Sequence, residues 1–74
     1  MEKNIRWNEK VKGLLKAELK KRDIGYKELS EKLKELGINE KEDNIKNKLS
    51  RGSFSAIFLI QCLTAIECNI LRLD

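Results

Sequence analysis

The segment from Glu40 to Arg51 is rich in side chains that can recognise nucleic acid. If it forms a helix with Ile45 and Leu49 facing a core, a rotation of about 100° per residue turns Asn47 fully outward. Side-chain amides can pair with adenine through two hydrogen bonds, arginine can donate two hydrogen bonds to guanine, and lysine contacts phosphates. We therefore expect Asn44 and Asn47 to read base edges. The residues of this segment predicted to contact DNA are Asn44, Lys46, Asn47, Lys48, Ser50 and Arg51.

Acidic residues at the start of the same segment argue in the other direction. Glu40, Glu42 and Asp43 crowd the end that usually enters the groove in helix-turn-helix proteins, where they would repel phosphates. Acidic residues there and basic residues at the other end also complement the helix dipole, so stability alone accounts for this order of charges. Both interpretations stay open at this point. If DNA is bound, the middle and C-terminal half of the segment should do the reading.

No arrangement of residues in the chain is typical of a catalytic or metal site. Histidine is absent, the serines have no general base at a recognisable spacing, and the four glycines are isolated. Cys62 and Cys68 are the two cysteines; on one helix they would lie about 9 Å apart, so buried, reduced thiols are expected. The sequence predicts no enzyme, no metal, no cofactor and no small-molecule substrate.

Length and composition indicate one small domain over residues 1–74. Hydrophobic residues make up 41% of the chain and charged residues 38%, a balance typical of globular proteins. No apolar run approaches the roughly 18 residues of a membrane helix, and no signal peptide is recognisable, so we expect a cytoplasmic protein without membrane contact. The net charge is +4, and residues 1–22 hold eight basic and three acidic residues. Such a basic segment attracts phosphate or acidic protein, or is a solvated helix face.

The apolar spacing predicts an all-α fold of four or five helices. Apolar residues recur at three and four positions along most of the chain, glycines follow three of the stripes, and proline is absent. Trp7 opens the first stripe and is expected in the core, Asn39 and Glu42 resemble a capping box, and Ser55 can cap the fourth helix. The predicted helices span about 8–22, 26–36, 40–51 and 55–67, followed by a short turn or strand at 69–73 in which Ile70 and Leu73 point inward.

The fourth predicted helix is apolar on nearly all sides. A helix of this kind is central in a core or is covered by a partner. We expect Ile57, Phe58 and Leu71 to be difficult to bury in a monomer of this size, and to form a dimer or partner interface.

Three stretches together resemble the lambda repressor and Cro family of bacterial regulators, over about Leu14 to Leu73. They are Ile24 to Ser30, Lys48 to Gly52, and Ser55 to Cys68, which share that family's spacing of a cap, a leucine, a small residue, a second leucine and an arginine-glycine end. The resemblance implies a compact helix-turn-helix bundle, a homodimer on double-stranded DNA, and a role in transcription regulation with helix 40–51 as recognition helix.

The same resemblance implies roles for residues outside that helix. Tyr26 stands where a side chain at the start of the second helix touches phosphate, and Lys27 would assist it. Ser30 stands where a small residue lets two helices cross closely, and Asn69 where a fifth helix starts. The chain also resembles a small uncharacterised bacterial family, which implies no mechanism.

Two alternatives are left open by the sequence. The interval from Gly37 to Gly52 is about three residues longer than in the regulators, so either the third helix or the joint before it is extended. An extended helix would keep a recognition helix with altered docking, whereas an extended joint would spoil the geometry that inserts this helix into a groove. The second alternative concerns function: instead of binding DNA, the domain would be an antitoxin-like or adaptor module that docks on a protein through helix 55–67.

Overall fold

Residues 6–73, the part of the chain that the structure describes, form four α-helices. A computed structural model describes residues 6–73, so Met1 to Ile5 of the basic segment and Asp74 lie outside the described residues. The helices agree with the predicted ones to within two residues at each end, and no strand occurs within 6–73. The all-helical prediction is therefore confirmed. The helices are α1 (Trp7–Lys21), α2 (Tyr26–Glu35), α3 (Glu42–Arg51) and α4 (Ala56–Ala65).

One apolar core joins the four helices. Each of the first three contributes a pair of leucines or isoleucines spaced four residues apart, which places both side chains on one face. α2 packs against α3 and α4, and α1 packs against α3. Burying one such side chain stabilises the fold by roughly 1.5–3 kcal/mol. The buried apolar residues are Leu15, Leu19, Leu29, Leu33, Ile45, Leu49, Phe58, Cys62, Leu63, Ile66 and Cys68.

Three helices end in the same hydrogen-bonded motif. In α1 the N–H of Ile24 donates to the carbonyl of Leu19 at 2.9 Å, and the N–H of Asp23 donates to that of Lys20 at 3.0 Å. This is a Schellman cap, in which one residue takes the left-handed conformation. At α2 that residue is Gly37, and at α1 it is Asp23. Glu67 takes the same conformation after α4.

The start of α3 differs from the prediction. The capping box at Asn39 is wrong, because the helix begins two residues later than predicted and no side chain caps its first residue, Glu42. The hydroxyl of Ser30 donates a hydrogen bond to the Glu40 carbonyl at 2.6 Å, which ties the incoming chain to α2. The longer interval between Gly37 and Gly52 therefore lengthens the joint, residues 36–41, and not α3.

Several apolar residues expected in the core lie at the surface. Trp7 is 66% exposed because the core contacts only the later turns of α1, and its first turn extends beyond them. Residues 69–73 form neither helix nor strand, and Ile70 and Leu73 are exposed. Leu36, at the end of α2, is also exposed. The prediction of burial was wrong at Trp7, Ile70 and Leu73.

The two cysteines are buried and unpaired, as predicted. Cys62 lies within α4, whereas Cys68 lies after its end, where the thiol donates a hydrogen bond to the Ile70 carbonyl at 3.3 Å. Within residues 6–73, no helix is long and apolar enough to cross a membrane.

Candidate functional site

The outer face of α3 presents the polar side chains that the sequence predicted. Ile45 and Leu49 are completely buried, so the rotation assumed for this helix is correct. The opposite face carries two amides, a hydroxyl and a guanidinium whose side chains have no hydrogen-bond or ion-pair partner among residues 6–73. The exposed residues of this face are Asp43, Asn44, Lys46, Asn47, Ser50 and Arg51.

Lys48 does not belong to this free face. Its Nζ lies 2.7 Å from Oε2 of Glu40 and 4.5 Å from the centroid of the Phe58 ring. The lysine thereby connects α3 with the preceding joint and with α4. Contact with phosphate would require the ion pair with Glu40 to break, so Lys48 is a weaker candidate than the exposed Lys46.

α1 holds the C-terminal end of α3 in position. The ammonium of Lys12 donates to the carbonyl of Ser50 at 3.2 Å, and the side-chain amide of Asn8 donates to that of Arg51 at 3.4 Å. These bonds partner carbonyls that the helix itself leaves free at its end. Sequence reasoning missed both residues, because hydrogen bonds between residues about 40 positions apart leave no local pattern.

The charge along α3 is asymmetric. Glu42 and Asp43 are exposed at its first turn and form no ion pair within the described chain, whereas Lys46 and Arg51 are exposed further along. A polyanion would therefore be repelled at the N-terminal end and attracted toward the middle and the C-terminal end. This agrees with the half of the helix that the sequence favoured for reading.

A second basic surface lies where α1 meets the start of α2. A groove of about 360 Å³ is lined there by apolar and charged residues of both helices. The half-buried Tyr26 packs against the core, so its ring is held in place, and Lys27 beside it is exposed. Two lysines and one aspartate line the groove, so its net charge is positive. The lining residues are Lys16, Leu19, Lys20, Asp23, Ile24, Gly25 and Tyr26.

The predicted partner interface on α4 needs correction. Ile57 is 70% exposed, as expected, but Phe58 is only 4% exposed and belongs to the core. Its ring packs edge-on against that of Phe54 at 5.3 Å between centroids. Leu71 is half-buried against the core. Sequence reasoning also missed Ile60, which is 59% exposed, because a helix that is apolar on all sides does not show which side faces the core.

Glu18 is a buried carboxylate that the sequence analysis did not identify. Glu18 receives a hydrogen bond from the Arg22 guanidinium at 2.7 Å and another from the Lys21 ammonium at 3.2 Å. The Sγ atom of Cys68 lies 3.7 Å from Oε1 of Glu18. The bond from Arg22, followed by the one from Lys21, lowers the pKa of Glu18, so this carboxyl group stays ionised and is unsuited to donate a proton at neutral pH.

A second buried ionisable group is the thiol of Cys62. Desolvation raises its pKa to about 12, and the charge of Glu40 acts in the same direction. At neutral pH it is protonated and a poor nucleophile. Among residues 6–73, no cluster of three or more cysteine, aspartate or glutamate side chains is placed to hold a metal ion.

Comparison with known proteins identifies a family but no individual relative. Neither the comparison with curated proteins nor that with solved structures gave a match. The family described as Domain of unknown function (DUF6471) matches residues 7–71, which include all four helices. The chain therefore belongs to the DUF6471 family.

Proposed function

We propose that this protein binds double-stranded DNA through α3, as a regulator of transcription. The observation that carries the proposal is the outer face of α3, where Asn44, Asn47 and Arg51 are exposed and have no side-chain partner within the described chain. The major groove admits a helix, and amide and guanidinium groups are the side chains that read adenine and guanine there. Ile45 and Leu49 are buried on the opposite face, so the side chains proposed to contact bases lie on a rigid helix.

Phosphate contacts would come from exposed cations that form no ion pair with another of the residues 6–73. Lys46 is exposed on α3, and Lys27 is exposed beside Tyr26 at the start of α2. Such contacts fix the position of a protein on the duplex without reading its sequence. The acidic first turn of α3 would have to stay away from the backbone, so the helix would enter the groove with its middle and C-terminal half.

The lengthened joint before α3 gives this proposal its own geometry. Residues 36–41 separate α2 from α3, and the Ser30 bond to the Glu40 carbonyl ties the end of the joint back to α2. The ion pair of Lys48 with the carboxylate of the same Glu40 ties this end to α3 as well. The joint is thus tied to both helices, which favours a fixed angle between them and hence a defined docking of α3.

The test is fluorescence anisotropy with a duplex of about 20 base pairs, long enough for two half-sites one helical turn apart. Titration against a random duplex at two salt concentrations measures the phosphate contribution, and a pool of genomic fragments supplies a preferred sequence. We expect Lys46→Ala to weaken binding to all sequences and to reduce the slope of log K against log salt by about 1. We expect Asn47→Ala to lose about 1–3 kcal/mol of discrimination between preferred and random duplexes.

Asn69→Ala is the matched control, since Asn69 is an exposed asparagine outside the helices. It should bind both duplexes like the unmodified protein. Equal losses for Asn47→Ala on preferred and random duplexes would remove Asn47 as a reader. If the protein binds no duplex at low salt, the DNA proposal is wrong.

A second candidate function is a module that docks on another protein. The acidic first turn of α3 and the exposed Ile57 and Ile60 on α4 favour it. It predicts that the protein binds no DNA and that Ile57→Asp abolishes capture of a partner. The buried Phe58 is unsuitable for this test, because an aspartate there would unfold the protein.

A further inference from the structure

The exposed face of α4 differs in composition from the rest of the surface. Residues 52–66 contain no aspartate, glutamate, lysine or arginine, in a chain that is 38% charged. Ile57 and Ile60 are both mainly exposed, and with Ala56 and Gln61 they line a shallow groove of about 310 Å³. The groove is therefore apolar and carries no charge.

The exposed residues of α4 form a stripe of helical spacing. Ile57, Ile60, Gln61 and Thr64 stand at positions i, i+3, i+4 and i+7, which lie on one side of a helix. Ile57, Ile60 and Thr64 are exposed and Gln61 is half-buried, whereas Cys62 on the other side is completely buried. α4 thus has a buried apolar face and a second, uncharged face whose isoleucines are not covered by any other part of residues 6–73.

We infer that a second copy of this chain covers this stripe, with the two α4 helices antiparallel about a two-fold axis near Ile60 and Gln61. The midpoint of the stripe falls between those two residues, so this arrangement sets Ile57 of one copy against Thr64 of the other. The two Ile60 side chains then meet close to the axis, and the polar Gln61 and Thr64 flank them.

Charge favours a second copy as the occupant. Each chain carries a net charge of +4, and the exposed lysines of α1, α2 and α3 would repel one another if those faces met. The α4 stripe is uncharged, so two copies can approach there without bringing like charges into contact. A strongly charged partner would find no complementary group on this stripe.

The size of the stripe predicts a weak dimer. It comprises four residues on a helix of 10 residues, whereas a standard interface takes about 20–30 residues from each partner. Association should therefore occur in the micromolar range or above, and depend on concentration. The inference does not rest on DNA binding, since it uses only the composition and exposure of α4.

The test is sedimentation velocity of the full chain from low micromolar to near-millimolar concentration. We expect reversible dimerisation, and we expect Ile60→Asp and Ile57→Asp each to raise its dissociation constant at least about tenfold. Ile70→Asp is the matched control, because Ile70 is 81% exposed but lies outside α4. It should leave the dissociation constant unchanged, with circular dichroism confirming equal helix content in all three variants.

A second measurement does not depend on an aspartate being tolerated. A Gln61→Cys variant places thiols close to the proposed axis, and added diamide, as the oxidant, should link two chains through a disulfide that a reductant cleaves. Ile70→Cys should link far less. A protein that remains monomeric throughout, or equal effects of the α4 and Ile70 variants, would overturn the inference. Dimerisation without duplex binding, or the reverse, shows which of the two proposals fails.

Discussion

Gly52 is the residue whose identity the fold constrains most sharply. It ends α3 in the left-handed conformation, with φ of 64°, and it is buried. A Cβ atom built at this position would collide with the backbone carbonyl oxygen of Asn8 and would lie 2.9 Å from the carbonyl carbon. The absence of a side chain therefore does two things at once: it permits the turn after α3, and it lets α1 approach the end of the candidate recognition helix.

Gly52→Ala should lower the free energy of unfolding by about 2–4 kcal/mol, because the strain of a left-handed alanine adds to the overpacking against Asn8. Gly37→Ala is the control: its φ is +82°, but nothing lies within 4 Å of the added Cβ. That variant should lose only about 1–2 kcal/mol. Urea denaturation followed by circular dichroism measures both. Equal losses would show that the approach of Asn8 has no energetic consequence.

Single residues also show where sequence reasoning ends. The outward orientation of Asn47 was predictable, because two buried residues four positions apart fix the rotation of a helix. The partner of Lys48 was not, since its carboxylate lies beyond the start of the helix, in a joint whose path depends on Ser30. Nor was the exposure of Trp7, which depends on where the core ends along α1.

At the scale of the helices, the boundaries followed from stripes and caps, and the errors occurred where tertiary contacts replace local signals. Ser55 caps α4 as predicted, accepting a hydrogen bond from the N–H of Phe58 at 3.0 Å. The capping pattern at Asn39 matched equally well in sequence, yet the chain there is held by Ser30 of another helix. A local motif competes with such contacts, and the sequence does not show which prevails.

The attachment of the C-terminal segment to α1 leads to a prediction at this scale. Glu18 of α1 accepts a hydrogen bond from Arg22, and the Cys68 thiol packs against the same carboxylate. Because the bonds from Arg22 and Lys21 lower the pKa of Glu18, the carboxylate stabilises the fold at pH values above its ordinary pKa of 4.5. That contribution should disappear as the pH falls through the lower pKa of the folded protein.

Glu18→Gln should therefore be less stable than the unmodified protein at pH 7, and its stability should fall less between pH 5 and about pH 3. Urea denaturation midpoints across this range measure the effect. Glu31→Gln is the matched control, because Glu31 is exposed on α2 and has no ion pair within the described chain. If the denaturation midpoint of Glu18→Gln fell between pH 5 and about pH 3 as much as that of the unmodified protein, the assigned role of this carboxylate would be contradicted.

At the scale of the whole molecule, the fold separates three surfaces by charge. The outer face of α3 is polar with cations toward its C-terminal end, the groove between α1 and α2 is basic, and the stripe on α4 is uncharged. The sequence indicated the first and the third, because each lies on one helix. It could not assemble the groove, which needs α1 and α2 to be packed at their junction.

The centre of the molecule supplies the last prediction. Cys62 is completely buried in the common core, and burial raises its pKa from an ordinary value of 9.0 to about 12. A thiol reagent can reach it only when the fold opens. In a Cys68→Ala variant, labelling of Cys62 at neutral pH should therefore be slowed by about 10³-fold relative to the urea-unfolded chain, as expected for a small domain of ordinary stability.

The raised pKa of Cys62 also determines how the stability of the fold depends on pH in the alkaline range. Because the folded pKa lies above the unfolded one, the contribution of this thiol to stability is fully present below about pH 9 and is lost as the pH rises toward 12. Labelling should thus accelerate above pH 9 by more than the growth of the thiolate fraction in the unfolded chain. If native Cys62 reacts within about tenfold of the unfolded rate at neutral pH, the core opens locally around α4, without global unfolding.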